Sequence, residues 1–394
     1  MSVVHKIPLG EIMASRVGSV DPTKFPNEVF DLYSIPAFDK GAPEIALGTS
    51  IGSSKQIVRP GDVLLSKIVP HIRRSWIVGN DRERRLIASG EWIVFRSEKI
   101  DQAYLRHVLI GDTFHAEFMQ TVSGVGGSLL RARPAQVAQI EVPLPTLPVQ
   151  RRIAAILNQA DALRAKRREA LAQLDSLTQS IFIEMFGGAR SVSWPVETIA
   201  DIANKNRGSI RTGPFGSQLL HSEFVDDGVA VLGIDNAVAN EFRWGERRFI
   251  SHSKYQELKR YTVNPGDVLI TIMGTCGRCA VVPNDVPVAV NTKHLCCITL
   301  EHRKCIPEFL HAYFLFHPMA RLYLNQTEKG AIMAGLNMGL IKAMPIQLPP
   351  VALQQTFAAR IQSVEALKAS HRAALLALDK LFASLQHRAF AGEL

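Results

Sequence analysis

The chain has 394 residues, 47% of them hydrophobic, with a formal net charge of +9. That is enough for two or three domains with real cores, and the basic surplus suits a polyanion, nucleic acid before an acidic membrane. No apolar run reaches membrane-spanning length, the opening MSVVHKIPLGEIM lacks a secretory pattern, and five cysteines all after residue 275 make no disulfide framework. The cysteine usage points to a reducing, cytoplasmic setting.

Residues 1–147 predict a mixed α/β domain. Strand-like runs at Ile57–Val58, Val63–Ile68, Trp76–Val78 and Trp92–Phe95 are separated by turn residues, notably Arg59-Pro60-Gly61-Asp62. A helical pattern spans Asp101 to Gln120. A glycine-rich loop runs from Ser123 to Arg133, and a strand at Ile140–Val142 follows it.

Residues 148–188 predict one long helix. Pro148 suits its start and Gly187-Gly188 its end. Apolar residues recur at Ile153, Ile156, Ala160, Leu163, Ala170, Leu174, Leu177 and Ile181, the 3-then-4 spacing of a coiled-coil seam. At about 1.5 Å per residue the rod measures roughly 55 Å.

Residues 189–349 repeat the domain plan, and 350–394 repeat the helix. A shift of 204 positions lays Gln150 on Gln354, Leu163 on Leu367, Ala170 on Ala374, Leu177 on Leu381 and Phe186 on Phe390. The polar break at Arg167 falls on His371, a device that fixes register in such seams. Pro265-Gly266-Asp267-Val268-Leu269 echoes Pro60-Gly61-Asp62-Val63-Leu64. The predicted fold class is α/β. Two mixed α/β domains alternate with two long helices that form an antiparallel coiled coil, an internal repeat with pseudo-two-fold character.

Catalytic motifs are missing. The sequence has no Walker A run, no Gly-x-Ser-x-Gly elbow, no His-Glu-x-x-His helix and no Asn/Asp-Pro-Pro-Tyr/Phe run. Cys276-Gly-Arg-Cys279 has zinc spacing, but Cys296 and Cys297 are adjacent and strand-like, so core packing is the better reading and no metal is predicted. A self-contained nuclease or zinc hydrolase, and a coiled-coil adaptor that binds no DNA, are the rival classes.

Polar and basic residues cluster in presumed loops. In the first domain the DNA-contact candidates are Lys67, Arg73, Arg74, Ser128, Arg131 and Arg133, with His71, Arg82, Arg84 and Arg85 nearby. In the second they are Arg207, Arg211, Ser217, Gln218, Arg278, Asn291, Lys293 and Asn337, with Lys205, Thr292 and His294 nearby. Arg and Lys neutralise phosphates, and Arg, Asn and Gln also pair with base edges.

The exits EVPLPTLPVQRRIAAIL and MPIQLPPVALQQTFAARI, both Pro-Gly-Asp-Val-Leu runs and Gly-Pro-Phe-Gly-Ser at 213–217 together resemble the specificity subunits of type I restriction-modification systems. The resemblance covers the whole length, although the first domain lacks a Gly-Pro-Phe-Gly counterpart. It implies two target-recognition domains, each reading one half of a split, asymmetric double-stranded DNA site. It implies helices that set the gap and dock two methyltransferase subunits, with two ATP-driven restriction/translocase subunits able to join. S-adenosylmethionine, ATP and Mg2+ would belong to those partners, and this chain would be non-catalytic. Half-sites one helical turn apart, ~34–36 Å between centres, suit such a rod. Leu157 and Leu171 are expected as exposed apolar flanks, and with Arg164, Ile361 and Leu375 they form the expected methyltransferase-docking set.

Overall fold

The computed structural model describes residues 5–79, 84–124, 130–187, 193–329 and 336–394. Ser128, Arg82 and the loop at 330–335 lie outside these. The chain divides into two compact units, Met1–Arg168 with Ala373–Leu394, and Glu169–Arg372. Each unit thus contains a domain and one half of each long helix. Among the described residues no helix is long and apolar enough to cross a membrane.

In the first unit a five-stranded sheet runs in the order Ser19–Val20, Lys55–Ile57, Arg85–Ala88, Val29–Tyr33, Glu44–Leu47, with the pair of Val29–Tyr33 and Arg85–Ala88 parallel. A three-stranded antiparallel sheet places Val63–Ser66 between Ser75–Ile77 and Trp92–Phe95. The expected helix over 101–120 is two helices, Gln102–Leu109 and Asp112–Gln120, because the chain turns at Gly111. Lys6–Pro8 pairs with Glu141–Pro143 and closes the domain where the long helix begins.

The second unit repeats this plan. Its five-stranded sheet again contains one parallel pair, Val229–Leu232 with Ala289–Asn291. Its antiparallel sheet has four strands, Ile210–Thr212, Leu295–Ile298, Val268–Thr271 and Cys279–Val281, so Ile210–Thr212 is an addition. Val196–Thr198 pairs with Pro345–Gln347 at the entrance to the last helix.

The two Pro-Gly-Asp turns explain themselves here. Gly61 and Gly266 both hold positive φ, +86° and +78°, which glycine adopts without strain. Asp62 and Asp267 are buried and accept from the backbone three residues back, Arg59 N at 2.8 Å and Asn264 N at 2.9 Å. Each carboxylate also faces an arginine, Arg96 for Asp62 and Arg211 for Asp267.

The exits repeat atom for atom. Gln150 accepts from Asp101 N at 2.6 Å and donates to Lys99 O and Pro145 O. Gln354 accepts from Ile306 N at 3.0 Å and donates to Lys304 O and Pro349 O. Both glutamines are fully buried. Tyr104 and Tyr313 likewise donate to the carbonyls of Pro143 and Pro345.

The long helices run Leu147–Phe186 and Val351–Phe390 and pair antiparallel. In the first unit Arg164 bonds Asp379 at 2.6 Å and its own neighbour Asp161 at 3.0 Å. In the second, Lys368 bonds Asp175 at 2.9 Å and its own neighbour Glu365 at 2.9 Å. All three positions of each triad obey the 204-residue shift. The seam differs from expectation. Leu163, Leu177, Leu367 and Leu381 are 46%, 41%, 53% and 50% exposed, while Ala154, Leu157, Val364 and Phe382 are buried. A straight helix drifts from a 3.5-residue repeat, and the domains compete for its apolar face. Arg167 is exposed, and the cations more enclosed by the helix pair are the half-buried Arg164, under a cation–π contact with Phe382, and the buried Lys368.

His107 is fully buried between the first domain and the helices, its Nε2 2.8 Å from Asn158 Oδ1 and its Nδ1 unpartnered. Burial, the largest influence, lowers its pKa below the ordinary value. The unfolded chain therefore takes up the proton first as pH falls. Stability is expected to be full above the ordinary histidine value of about 6.5 and to decline below it. Urea midpoints at pH 7.5 and 5.5 should show a smaller drop in His107→Gln than in the wild type. An equal drop would remove His107 as the source.

Candidate nucleic-acid interface

The second unit presents the better-formed surface. The Gly213–Ser217 run leaves the added strand and lies tight against strand Ala289–Asn291. A Cβ on Gly213 would sit 1.9 Å from Asn291 O, so only glycine fits. Gly216 turns the loop at φ +60°, and Phe215 between them is half exposed. Gln218 accepts from Tyr261 Oη at 2.9 Å, and Arg260 donates to that hydroxyl at 2.8 Å. Arg260 also lines one of two clefts in this unit. One is polar and basic, about 240 Å³, lined by Arg207, Lys259, Arg260 and Asn206. The other is about 680 Å³, lined by Leu219, Phe224, Asp235, Arg248, Lys293 and His294. His294 has a lowered pKa from burial first and from Lys293 and Arg248 next, which favours the neutral ring. Between them the two clefts and the loop present cations, amides and exposed apolar side chains, the kinds of group that meet phosphates and base edges.

Of the candidates in this domain, Arg207, Ser217, Gln218 and Lys293 fall on these clefts and the loop, and Arg278 is exposed beside Thr271. Three others make structural contacts within the protein, and Arg211 also lines the smaller basic cleft. Arg211 is a strut: it bonds Asp267 at 2.8 Å, Thr299 Oγ1 at 3.0 Å and two carbonyls, and little of it reaches solvent. Asn291 is fully buried and donates to Leu295 O at 3.0 Å. Asn337 caps helix Met338–Ala343, accepting from Leu340 N at 2.9 Å. Polar residues that end strands and begin helices satisfy the backbone first. Arg248, Arg260 and Lys259 were missed because they sit outside any glycine-marked loop, and only the fold brings them to the clefts.

In the first unit most of the expected cations are committed. Arg74 is 8% exposed and grips Asp39 with two hydrogen bonds of 2.8 and 2.9 Å, so its guanidinium is engaged within the fold. Arg84 and Arg85 pair with Asp31 and Glu28. Arg73 bonds Asp112 and Ile110 O in a recess it shares with Arg164 and Asp379 of the helix pair, so it lies against the spacer. Arg131 pairs with Glu91 but remains largely exposed, and such a pair is weak enough to exchange for a phosphate. Lys67 is half-buried and Arg133 exposed.

The docking set is also revised. Leu157 is 0% exposed inside the first unit's core, so it is no exposed flank. Arg164 is engaged by Asp379, Asp161 and Phe382. Ile361 packs partly on the second unit's core, and Leu171 and Leu375 are half-buried. Exposed large apolar side chains on the long helices include Leu163, Leu177, Ile183, Leu367, Leu376 and Leu381, and of these Leu163 with Leu367 and Leu177 with Leu381 are repeat-equivalent.

No cluster of three or more His, Cys, Asp or Glu suited to a metal occurs among the described residues. Cys296 and Cys297 alternate across the sheet into two different cores, and burial raises both thiol pKa values, Cys296 to about 12.

A family model described as the type I restriction modification DNA specificity domain matches residues 192–378. The chain is 23% identical over 335 residues to the type I restriction enzyme EcoBI specificity subunit of Escherichia coli, covering 77% of this chain and 68% of that protein. It is 21% identical over 294 residues to the EcoKI specificity subunit of Escherichia coli K12, covering 68% and 61%. Its fold is similar to the S subunit of a type I restriction-modification system from M. genitalium, with TM-score 0.60 and 10% identity over 99% of this chain and 97% of that one. A chain from a study of complex assembly and conformational transition of the type I R-M system gives TM-score 0.59 at 20% identity, over 99% and 98%. Residues 192–378 therefore match a type I restriction modification DNA specificity domain, and the chain as a whole is similar in sequence and in fold to the specificity subunits of type I restriction-modification systems.

Proposed function

We propose that each unit reads one half of a split, asymmetric double-stranded DNA site, and that the paired helices fix the gap between the halves. The observation that carries this is a frame built twice from the same contacts around surfaces that differ. Gln150 and Gln354, Tyr104 and Tyr313, and the two charged triads repeat, whereas the Gly213–Ser217 loop and the two clefts belong to one domain alone. The functional divisions are a first recognition domain at 1–147, a spacer helix at 148–188, a second recognition domain at 189–349 and a second spacer at 350–394. The chain is non-catalytic in this reading and works in the cytoplasm. Two restriction/translocase subunits complete the complex, and S-adenosylmethionine, ATP and Mg2+ are bound by the partners.

Methyltransferase docking is assigned to the exposed leucines. Leu163 and Leu367 are repeat-equivalent, as are Leu177 and Leu381, so two copies of one partner find two like surfaces. Co-purification of the chain with its methyltransferase, followed by mapping of methylated adenines, tests both parts. The wild type should yield two methyltransferase copies and a site of two fixed halves with a constant gap. Leu163→Asp with Leu381→Asp should lose at least one copy without lowering the melting temperature of the isolated chain. A variable gap, or unchanged stoichiometry in the variant, would refute the ruler or the docking surface respectively.

A further inference from the structure

Given that the second unit is a DNA-reading domain, we propose that Arg248, braced by Asp235, reads a guanine edge within that domain's half-site. Sequence pattern singles out neither residue. Asp235 lies in the turn that follows strand Val229–Leu232, and Arg248 immediately precedes the antiparallel partner Phe249–Ile250. Val231 N donates to Arg248 O at 2.9 Å, so both side chains are carried by the sheet itself. Arg248 Nη2 donates to Asp235 Oδ1.

Two glycines pack closely around the pair, and Arg248 Nε and Asp235 Oδ2 are buried without hydrogen-bond partners. A Cβ on Gly233 would lie 2.5 Å from Arg248 Nη2 and 2.7 Å from Asp235 Oδ1. A Cβ on Gly245 would lie 2.1 Å from Asp235 Oδ2. Asn236 locks the turn, accepting from Gly233 N at 2.8 Å and donating to Arg243 O at 2.9 Å. An arginine tied at one Nη to a carboxylate and crowded by two glycines is pre-organised for bidentate recognition by its remaining N–H groups.

The pair stands in the wall of the 680 Å³ cleft with Lys293 and His294, and both of its side chains are about one-third exposed. Asp235 and the exposed Glu246 line the same cleft. Two carboxylates oppose a phosphate there, whereas a base edge is tolerated. Guanine offers two acceptors, O6 and N7, to a planar arginine fork in the major groove, while adenine places a donor at the equivalent of O6.

The test uses the complex of this chain with its methyltransferase subunits. Methylation rates are measured on duplexes carrying each single-base change in the second domain's half-site. The wild type should demand G·C at one position. Arg248→Ala should lose about 5- to 150-fold of that preference, Arg248→Lys should fail to restore it, and Asp235→Asn should loosen the same position. Preferences elsewhere, including the first half-site, should stay. Full rescue by lysine, or a uniform loss with a salt slope lower by about one, would make Arg248 a phosphate contact and overturn the proposal. So would the absence of any G·C requirement. Preserved first-half-site methylation and an unchanged melting temperature guard against misfolding. A wild-type complex indifferent to that entire half would instead sink the DNA-reading assignment.

Discussion

Arg211→Ala is expected to loosen the second unit rather than to relax its base preference. The guanidinium is the charge partner of Asp267, whose carboxylate also accepts from Thr299 Oγ1 at 2.6 Å and from Asn264 N at 2.9 Å. Only 2% of the Asp267 side chain is exposed. Removing one member of a buried pair leaves an uncompensated charge, which costs about 3–5 kcal/mol. Whole-domain stability is only about 5–15 kcal/mol, so the loss is a large share of it. Hydrogen exchange at the amides of Val268–Thr271 should speed up by orders of magnitude, and the unfolding midpoint should fall. In the first unit Arg96 is more exposed than Arg211, so Arg96→Ala should do less. A variant of Arg211 that melts like the wild type and alters only which bases are methylated would show the arginine to be a reader after all.

Gln150→Ala and Gln354→Ala should destabilise the chain by similar amounts, at least about 3 kcal/mol each, since each leaves three buried polar groups unpaired at a cost of about 1–3 kcal/mol apiece. Each glutamine satisfies one N–H and two carbonyls at the junction of a long helix with its domain. Asp101 and Ile306, whose N–H groups they bind, are the residues that open the domain helices Gln102–Leu109 and Pro307–Phe316. The amide is thus a rivet between two helix starts. Glutamate cannot replace it, because a carboxylate donates to neither carbonyl, so Gln354→Glu should be no milder than the alanine. Equilibrium urea unfolding checks both variants, and a change below about 0.5 kcal/mol, the range of ordinary surface substitutions, would contradict the rivet.

The frame was legible in the sequence because its parts are local or repeated. Helix starts and stops, the two Pro-Gly-Asp turns and the 204-residue shift all predicted elements that the structure contains. The break at Gly111 was not read, since a helical pattern can continue through one glycine. The interface was less legible. Arg74 and Arg211 look like loop cations by position, yet their acids, Asp39 and Asp267, stand 35 and 56 residues away in sequence. Whether a cation is spoken for depends on such distant partners. Arg248 was invisible for the converse reason, because its cleft is assembled from three separated segments. The leucines at 163 and 177 fit a seam by spacing alone, and only packing shows that the domains take the helix face instead.

The charged triads settle a question of direction. Along either long helix the order is acid, base, acid: 161, 164, 175 in one and 365, 368, 379 in the other. Laid head to head in the repeat's own alignment, Arg164 would confront Lys368 and Asp175 would confront Asp379, like against like. Reversed, every cation meets a carboxylate, as Arg164 meets Asp379 and Lys368 meets Asp175. The polarity of the strands is therefore written in six side chains, and a duplicated segment can recognise its own copy only when the copy runs backwards.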